Sequence, residues 1–202
     1  MRARALLTMT SALAALGLCA GTAHAQGIAA NGGAAYGTQA EPRVAPGDAG
    51  AQSPAPPPPV PGSVATIGPD GLAVPPAAAP PEVQQAILAA NKIIGKPYRY
   101  GGGHKSFKID RGYDCSGTVS FALNGGGLLR RPLDSRGFFK WGEPGEGQWI
   151  TVYTKSSHAF VVIAGLRLDT SAAGDPSGAK GPRWRPALRS TRGFKARHPE
   201  GL

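Results

Sequence analysis

The stretch Tyr113–Gly127, YDCSGTVSFALNGGG, carries most of the fold prediction. After Asp114, the residues from Cys115 onward predict one short helix that ends at the glycines. Val119, Ala122 and Leu123 would form its buried face. A thiol in the first helical turn lies beside unsatisfied backbone N–H groups and the positive end of the helix dipole, which favour the thiolate. Cys115 is therefore a candidate nucleophile.

The chain begins with the features of a secretory signal peptide. Arg2 and Arg4 precede an apolar run over residues 5–20, and the AHA of residues 23–25 is a small-x-small cleavage site. We predict a signal peptide over residues 1–25 and export to the cell envelope or the medium. No later stretch approaches the roughly 18 apolar residues of a membrane span, so we expect no transmembrane anchor.

Signal cleavage would also change the cysteine content. It removes Cys19 and leaves Cys115 without an intramolecular partner. An odd cysteine in an exported protein indicates either an intermolecular disulfide or a reactive thiol. Lipidation at Cys19 is disfavoured, because Leu18 stands where that signal needs a small residue.

The charge balance suggests an anionic partner. The formal net charge is +10 at pH 7, and nearly all of it lies in the C-terminal part. In an exported domain this indicates anionic cell-wall polymers or a membrane surface, although a merely solvated basic face fits equally well. We expect no nucleic acid partner, because no motif interleaves aromatic and basic residues.

Composition divides the remaining chain in two. Residues 26–80 are rich in Ala, Gly and Pro and contain few large apolar residues, which predicts a flexible, polyproline-prone linker. Residues 81–202 have the length of a single domain. The Arg-rich tail of this domain is predicted to be mostly irregular, with Trp184 and Phe194 wrapping it onto the domain.

Two kinds of hydrophobic pattern follow one another in the domain. Apolar residues at helical spacing follow Pro81, and Gly95 and Pro97 end that element. Later, QWITVYT, HAFVVIAG and LRLDT are typical of strands, with a turn at 164–165. Helices followed by antiparallel strands predict an α+β fold, with the Cys115 helix packed on a small antiparallel sheet.

A thiol nucleophile needs a base and a group that orients the base. His158 is the best candidate for the base, because it opens a predicted strand, whereas His104 lies in a glycine-rich loop and His198 near the end. The antiparallel return of the next strand brings Asp169 beside His158. Thr170 remains an alternative, because a register slip of one residue exchanges the two faces, and Asp169 could be merely solvated.

Other chemistries find less support. The GGGH sequence lacks the lysine and hydroxyl of a phosphate-binding loop. The three histidines and one cysteine of the mature chain have no compact zinc spacing, so we expect neither a metal nor a cofactor.

Three motifs together resemble a known family. GKPYRYGG at residues 95–102, DCSG at residues 114–117 and a strand that opens with His158 are similar to the NlpC/P-sixty cell-wall cysteine peptidases. The resemblance covers about residues 83–172. It implies a papain-like NlpC-type domain that hydrolyses peptidoglycan stem peptides or muropeptides, typically between D-glutamate and a diamino acid.

The resemblance also implies residue roles. Cys115 would be the nucleophile, His158 its base and Asp169 the third residue, a place usually held by His, Asn or Gln. The remaining matches concern substrate binding: Tyr98 would line the site, Asp114 would bind a free substrate amine, and Ser135 would lie in the groove.

Two further hypotheses stay open. A non-catalytic wall-binding module would keep the fold and use its basic surface. A thiol amidase or acyltransferase of the same fold would use Cys115 on another amide or ester.

Overall fold

The structure is a computed structural model that describes residues 62–186 and 188–202. The predicted signal peptide over residues 1–25, with Cys19, lies outside the described residues, and so do residues 26–61 of the linker predicted over residues 26–80. Within the described ranges, no helix is long and apolar enough to cross a membrane.

The described residues form a mixed helical and sheet structure, which confirms the α+β prediction. The helices are α1 (Pro81–Asn91) and α2 (Cys115–Gly125), with a 3-10 turn at Gly137–Lys140. The strands are β1 (Thr66–Ile67), β2 (Ala73–Val74), β3 (Glu143–Pro144), β4 (Ile150–Lys155), β5 (His158–Ile163), β6 (Leu166–Asp169), β7 (Arg183–Arg185) and β8 (Lys195–His198).

The strands β3 to β8 form one antiparallel sheet in the order β3-β8-β4-β5-β6-β7. Helix α2 packs against β5 and β6, and α1 packs against α2. The predicted inner face of α2, Val119, Ala122 and Leu123, is fully buried. Alternate residues of β5, such as Val161, join the same core. This packing fixes the start of α2 relative to the start of β5.

The segment just before α1 corrects the linker prediction. Strands β1 and β2 pair as a hairpin, and Ala65, Ala73 and Ala79 are buried. The side chain of Asn91, at the end of α1, bonds both the N–H (3.0 Å) and the C=O (2.8 Å) of Ala73. Residues 62–80 therefore belong to the domain, because their small alanines are buried in its core and Asn91 satisfies the backbone of Ala73.

The tail contains two short strands that the sequence did not predict. Most of its described residues are irregular, as predicted, but β7 pairs with β6 and β8 lies between β3 and β4. The expected wrapping is present: Trp184 is 6% exposed and donates its indole N–H to Asn91 Oδ1 at 2.7 Å. Strands β7 and β8 were missed because they are only three and four residues long and pair with distant segments.

Candidate active site

The nucleophile candidate lies at the N-terminus of α2. Asp114 is the N-cap, and its Oδ1 accepts the N–H of Gly117 at 2.8 Å. A side chain on Gly117 would collide with the Gly102 carbonyl oxygen, so the glycine of DCSG lets the glycine-rich loop pass close to the helix. Cys115 is the first helical residue and is partly exposed.

The Cys115 thiol faces two groups of β5 that act on its pKa, the imidazole of His158 and the backbone N–H of Ala159. Burial by itself would raise the pKa of the Cys115 thiol, but hydrogen bonding by these two groups and the charge of His158 outweigh burial and lower the pKa below its ordinary value. The site therefore favours a thiolate.

The base candidate is oriented by a buried carboxylate. His158 Nε2 lies 2.9 Å from Asp169 Oδ1, which leaves Nδ1 for the thiol. Burial would lower the pKa of His158, but the hydrogen bonds to Asp169 and then to Cys115 raise it to about 9. The imidazolium is thus the stable form beside the thiolate.

The register of β5 and β6 explains which residue takes the third place. Val161 pairs with Leu168, so the chain continues with Asp169 on the face that carries His158. Thr170 is the next residue along the chain and alternates to the other face of the sheet. Its carbonyl accepts the N–H of Gly181 at 3.0 Å. Asp169 is therefore the residue that the structure places against His158.

Asp169 is held from several sides. Its Oδ1 also accepts the N–H of Ser171 at 2.8 Å, and Oδ2 lies 3.1 Å from Arg189 Nη1 and 3.8 Å from Arg167 Nε. Burial would raise the pKa of Asp169, but the hydrogen bond and charge of His158, followed by the other donors, lower it. A stable negative charge behind His158 follows from this.

The residues expected to bind substrate share one cleft with Cys115. The cleft has a volume of about 570 Å³, and Tyr98, Asp114 and Ser135 line it. Tyr98 is 45% exposed, and burial together with the charges of Cys115 and Asp114 raises its pKa. Ser135 donates its hydroxyl to the Ser156 carbonyl at 3.1 Å.

His104, which the sequence places only in a glycine-rich loop, lies in the same cleft. Its Nε2 is 2.9 Å from Asp114 Oδ1 and 3.3 Å from Ser116 Oγ. The hydrogen bond to Asp114 raises the pKa of His104 against the opposing effect of burial. Asp114 Oδ2 also accepts the N–H of Gly101 at 3.0 Å, so most of the acceptor capacity of this carboxylate is used within the protein. The sequence signal was available: a histidine in a glycine-rich loop, ten residues before an N-cap carboxylate.

The arrangement is suited to covalent acyl transfer. A thiolate at a helix N-terminus, a base in hydrogen-bond contact and a carboxylate that orients the base are the parts that such a reaction needs. Among the residues that the structure describes, no group of three or more His, Cys, Asp or Glu could hold a metal ion. No family model matches the sequence, and no curated protein matches it significantly.

Proposed function

We propose that the chain is an exported cysteine peptidase that hydrolyses peptidoglycan stem peptides at a D-glutamyl–diamino acid bond. The observation that carries the proposal is the contact of 2.9 Å between His158 Nε2 and the buried Asp169 Oδ1, in a pair whose histidine lowers the pKa of the Cys115 thiol. The substrate class rests on the resemblance of GKPYRYGG and DCSG to the NlpC/P-sixty peptidases, and export rests on the predicted signal peptide. The papain-like NlpC-type fold is part of the same proposal.

Acylation would begin with the Cys115 thiolate attacking the scissile carbonyl carbon. The carbonyl oxygen becomes an oxyanion, and the backbone N–H of Cys115 at the start of α2 is one donor for it. The imidazolium of His158 then gives its proton to the leaving amine as the C–N bond breaks. Asp169 keeps the ring oriented and stabilises its charge throughout.

Deacylation would use the same residues in reverse. His158, now neutral, takes a proton from water, and the hydroxide formed attacks the thioester carbon. The C–S bond breaks, Cys115 departs as the thiolate beside the imidazolium, and the carboxylic acid product leaves and gives its proton to the solvent.

Substrate binding would involve the cleft residues that surround Cys115. Tyr98 offers an exposed ring and hydroxyl, and Ser135 offers a hydroxyl that can still accept a hydrogen bond. The Asp114 carboxylate already accepts hydrogen bonds from Gly117, Gly101 and His104, and it would bind a substrate amine with its remaining acceptor capacity.

The experiment is digestion of purified muropeptides by the mature chain, with products identified by mass spectrometry. Cleavage should yield shorter stem peptides, and Cys115→Ala should abolish it. Because Cys19 belongs to the predicted signal peptide, the mature chain used in the assay carries no other cysteine. Equal cleavage by Cys115→Ala and the unmodified chain would refute a thiol mechanism. Cleavage of an ester or a side-chain amide instead would identify the thiol amidase or acyltransferase alternative.

One feature favours a second candidate, a cell-wall-binding module. A groove of about 490 Å³ is lined by the cations Arg130, Arg131 and Lys140 beside Trp141, and no acidic residue is among its lining. Such a surface suits anionic wall polymers. This candidate predicts sedimentation with cell walls that added salt weakens and that Cys115→Ala leaves unchanged, without release of peptide.

A further inference from the structure

The tail crosses the sheet behind the catalytic residues. We call residues 188–194, between β7 and β8, the strap. It lies on the face of β5 opposite α2, since Phe160 on this face alternates with the core residue Val161. Phe194 of the strap contacts the rings of His158 (6.2 Å between centroids) and Phe160 (5.2 Å). The strap therefore covers the catalytic histidine from behind.

Arg189 is the strap residue that reaches the carboxylate. Its guanidinium carbon lies 5.5 Å from the ring centroids of both Phe160 and Phe194, so two aromatic rings flank it. Its Nη1 is 3.1 Å from Asp169 Oδ2. The side chain of Asp169 is fully buried, and that of Arg189 is 18% exposed. The contact is thus shielded from water, where a hydrogen bond between charged groups is strong.

The two oxygens of Asp169 have separate partners. Oδ1 accepts hydrogen bonds from His158 and from the N–H of Ser171, whereas Oδ2 accepts one from Arg189. A carboxylate bonded at one oxygen only could rotate about its terminal torsion, which has a broad energy minimum. The hydrogen bond at Oδ2 opposes that rotation.

We infer that Arg189 is a positioning residue: it holds Asp169 in the orientation in which Oδ1 faces His158, and so keeps the imidazole directed at Cys115. The inference rests on the catalytic relay of the proposed function, and it assigns a role to the Arg-rich tail. Arg189 is absent from the lining of the substrate cleft, so it acts through Asp169 and not on substrate.

The other charged groups near the relay do not make this contact. Arg167 Nε is 3.8 Å from Oδ2, beyond hydrogen-bonding distance. Arg185 donates to the Asp169 backbone carbonyl at 3.3 Å and pairs with Asp175. Lys155, opposite His158 in β4, places its ammonium over the ring of Phe194. These groups set the local potential, and Arg189 fixes the geometry.

The test is a double-mutant cycle read by alkylation of Cys115 with iodoacetamide at about pH 7, where the rate reports the thiolate fraction. Arg189→Met keeps an unbranched side chain between the rings but removes the hydrogen bond. We expect it to slow alkylation about threefold to tenfold in the otherwise unmodified full mature chain. In an Asp169→Asn background the same substitution should have no further effect.

The controls separate positioning from general destabilisation. Arg192→Met changes an exposed arginine of the same strap and should alkylate at the unmodified rate. Arg189→Lys should recover part of the loss, because it restores a donor without the planar fork. If Asp169→Asn does not fold, judged by circular dichroism, His158→Gln provides the second background. The inference would be overturned if Arg189→Met slowed alkylation equally in the unmodified chain and in the second background. It would also be overturned if Arg189→Met made alkylation of the otherwise unmodified chain faster.

Alkylation needs no muropeptide, so its outcome is independent of the substrate proposal. A cycle with the expected coupling but no muropeptide cleavage would leave the inference standing and refute the proposed function. Muropeptide cleavage without coupling between Arg189 and Asp169 would support the proposed function and overturn the inference. Where cleavage is observed, Arg189→Met should lower kcat and leave KM unchanged, because Arg189 does not contact the cleft.

Discussion

Two histidine–carboxylate pairs flank the same cysteine. His158 and Asp169 lie behind Cys115 with 2.9 Å between their bonded atoms, and His104 and Asp114 lie beside it at the same distance. The side chains of the first pair are 15% and 0% exposed, and those of the second are 25% and 10% exposed. In both pairs the hydrogen bond raises the pKa of the histidine.

The difference lies in what else each pair contacts. His158 and Cys115 shift each other's pKa, and Asp169 Oδ2 lies 3.1 Å from Arg189 Nη1, so this pair is placed to exchange a proton with the thiol. Asp114 bonds the first-turn N–H of Gly117 and the loop N–H of Gly101, so the second pair joins the glycine-rich loop to the helix. Under the proposed function, the same contact is catalytic in the first pair and structural in the second.

The largest expected effect comes from exchanging each histidine for glutamine. His158→Gln removes the proton acceptor and should lower kcat/KM on muropeptides about a thousandfold or more. His104→Gln keeps a polar side chain at the loop and should cost about tenfold or less. Comparable losses in the two variants, measured on folded protein, would show that the pairs do not divide their roles in this way.

The carboxylates should differ in their contribution to stability. Asp169→Asn leaves buried arginines without their counter-charge and should lower the free energy of unfolding by about 3 kcal/mol or more. Asp114→Asn keeps a side chain that can still cap α2 and should cost about 1 kcal/mol or less. Urea denaturation of the two variants measures this difference, and the reverse ranking would contradict the assignment of the buried charge to Asp169.

A smaller effect is expected in the pH dependence of stability. The folded pKa of His158, about 9, exceeds its ordinary value of 6.5, so protonation stabilises the folded state. The contribution of His158 protonation to the free energy of unfolding is complete below the ordinary pKa of 6.5 and is lost as the pH rises through the folded pKa. The stability difference between the unmodified chain and His158→Gln should therefore be largest near about pH 6, decline as the pH rises from about 6.5 to about 9, and be absent above that. A difference that grows with pH would contradict the raised pKa.

The sequence was sufficient where the signals are local. The helix that starts at Cys115 follows from its N-cap and its apolar spacing, and it begins at the predicted residue. Strand alternation and the short turn at residues 164–165 made His158 and Asp169 the preferred pair, and the register of β5 and β6 decides between Asp169 and the alternative Thr170. In each case neighbouring residues determine the geometry.

The features that were missed depend on contacts between distant segments. His104 meets Asp114 because a glycine at 117 lets the loop approach the helix, which no periodic pattern reveals. Arg189 lies 20 residues beyond Asp169 and reaches it only because β7 returns along β6. Likewise, the hairpin before α1 packs through small alanines, whose composition is that of a linker.

The most direct test of the relay is the rate of Cys115 alkylation across pH in the mature chain. Between the lowered pKa of Cys115 and the raised pKa of His158, about 9, the thiolate and imidazolium coexist. We expect a reactive plateau in this range, with a second inflection near the upper limit, that His158→Gln abolishes and His104→Gln retains. A single inflection at the ordinary thiol pKa of about 8.5, unchanged by His158→Gln, would contradict the account.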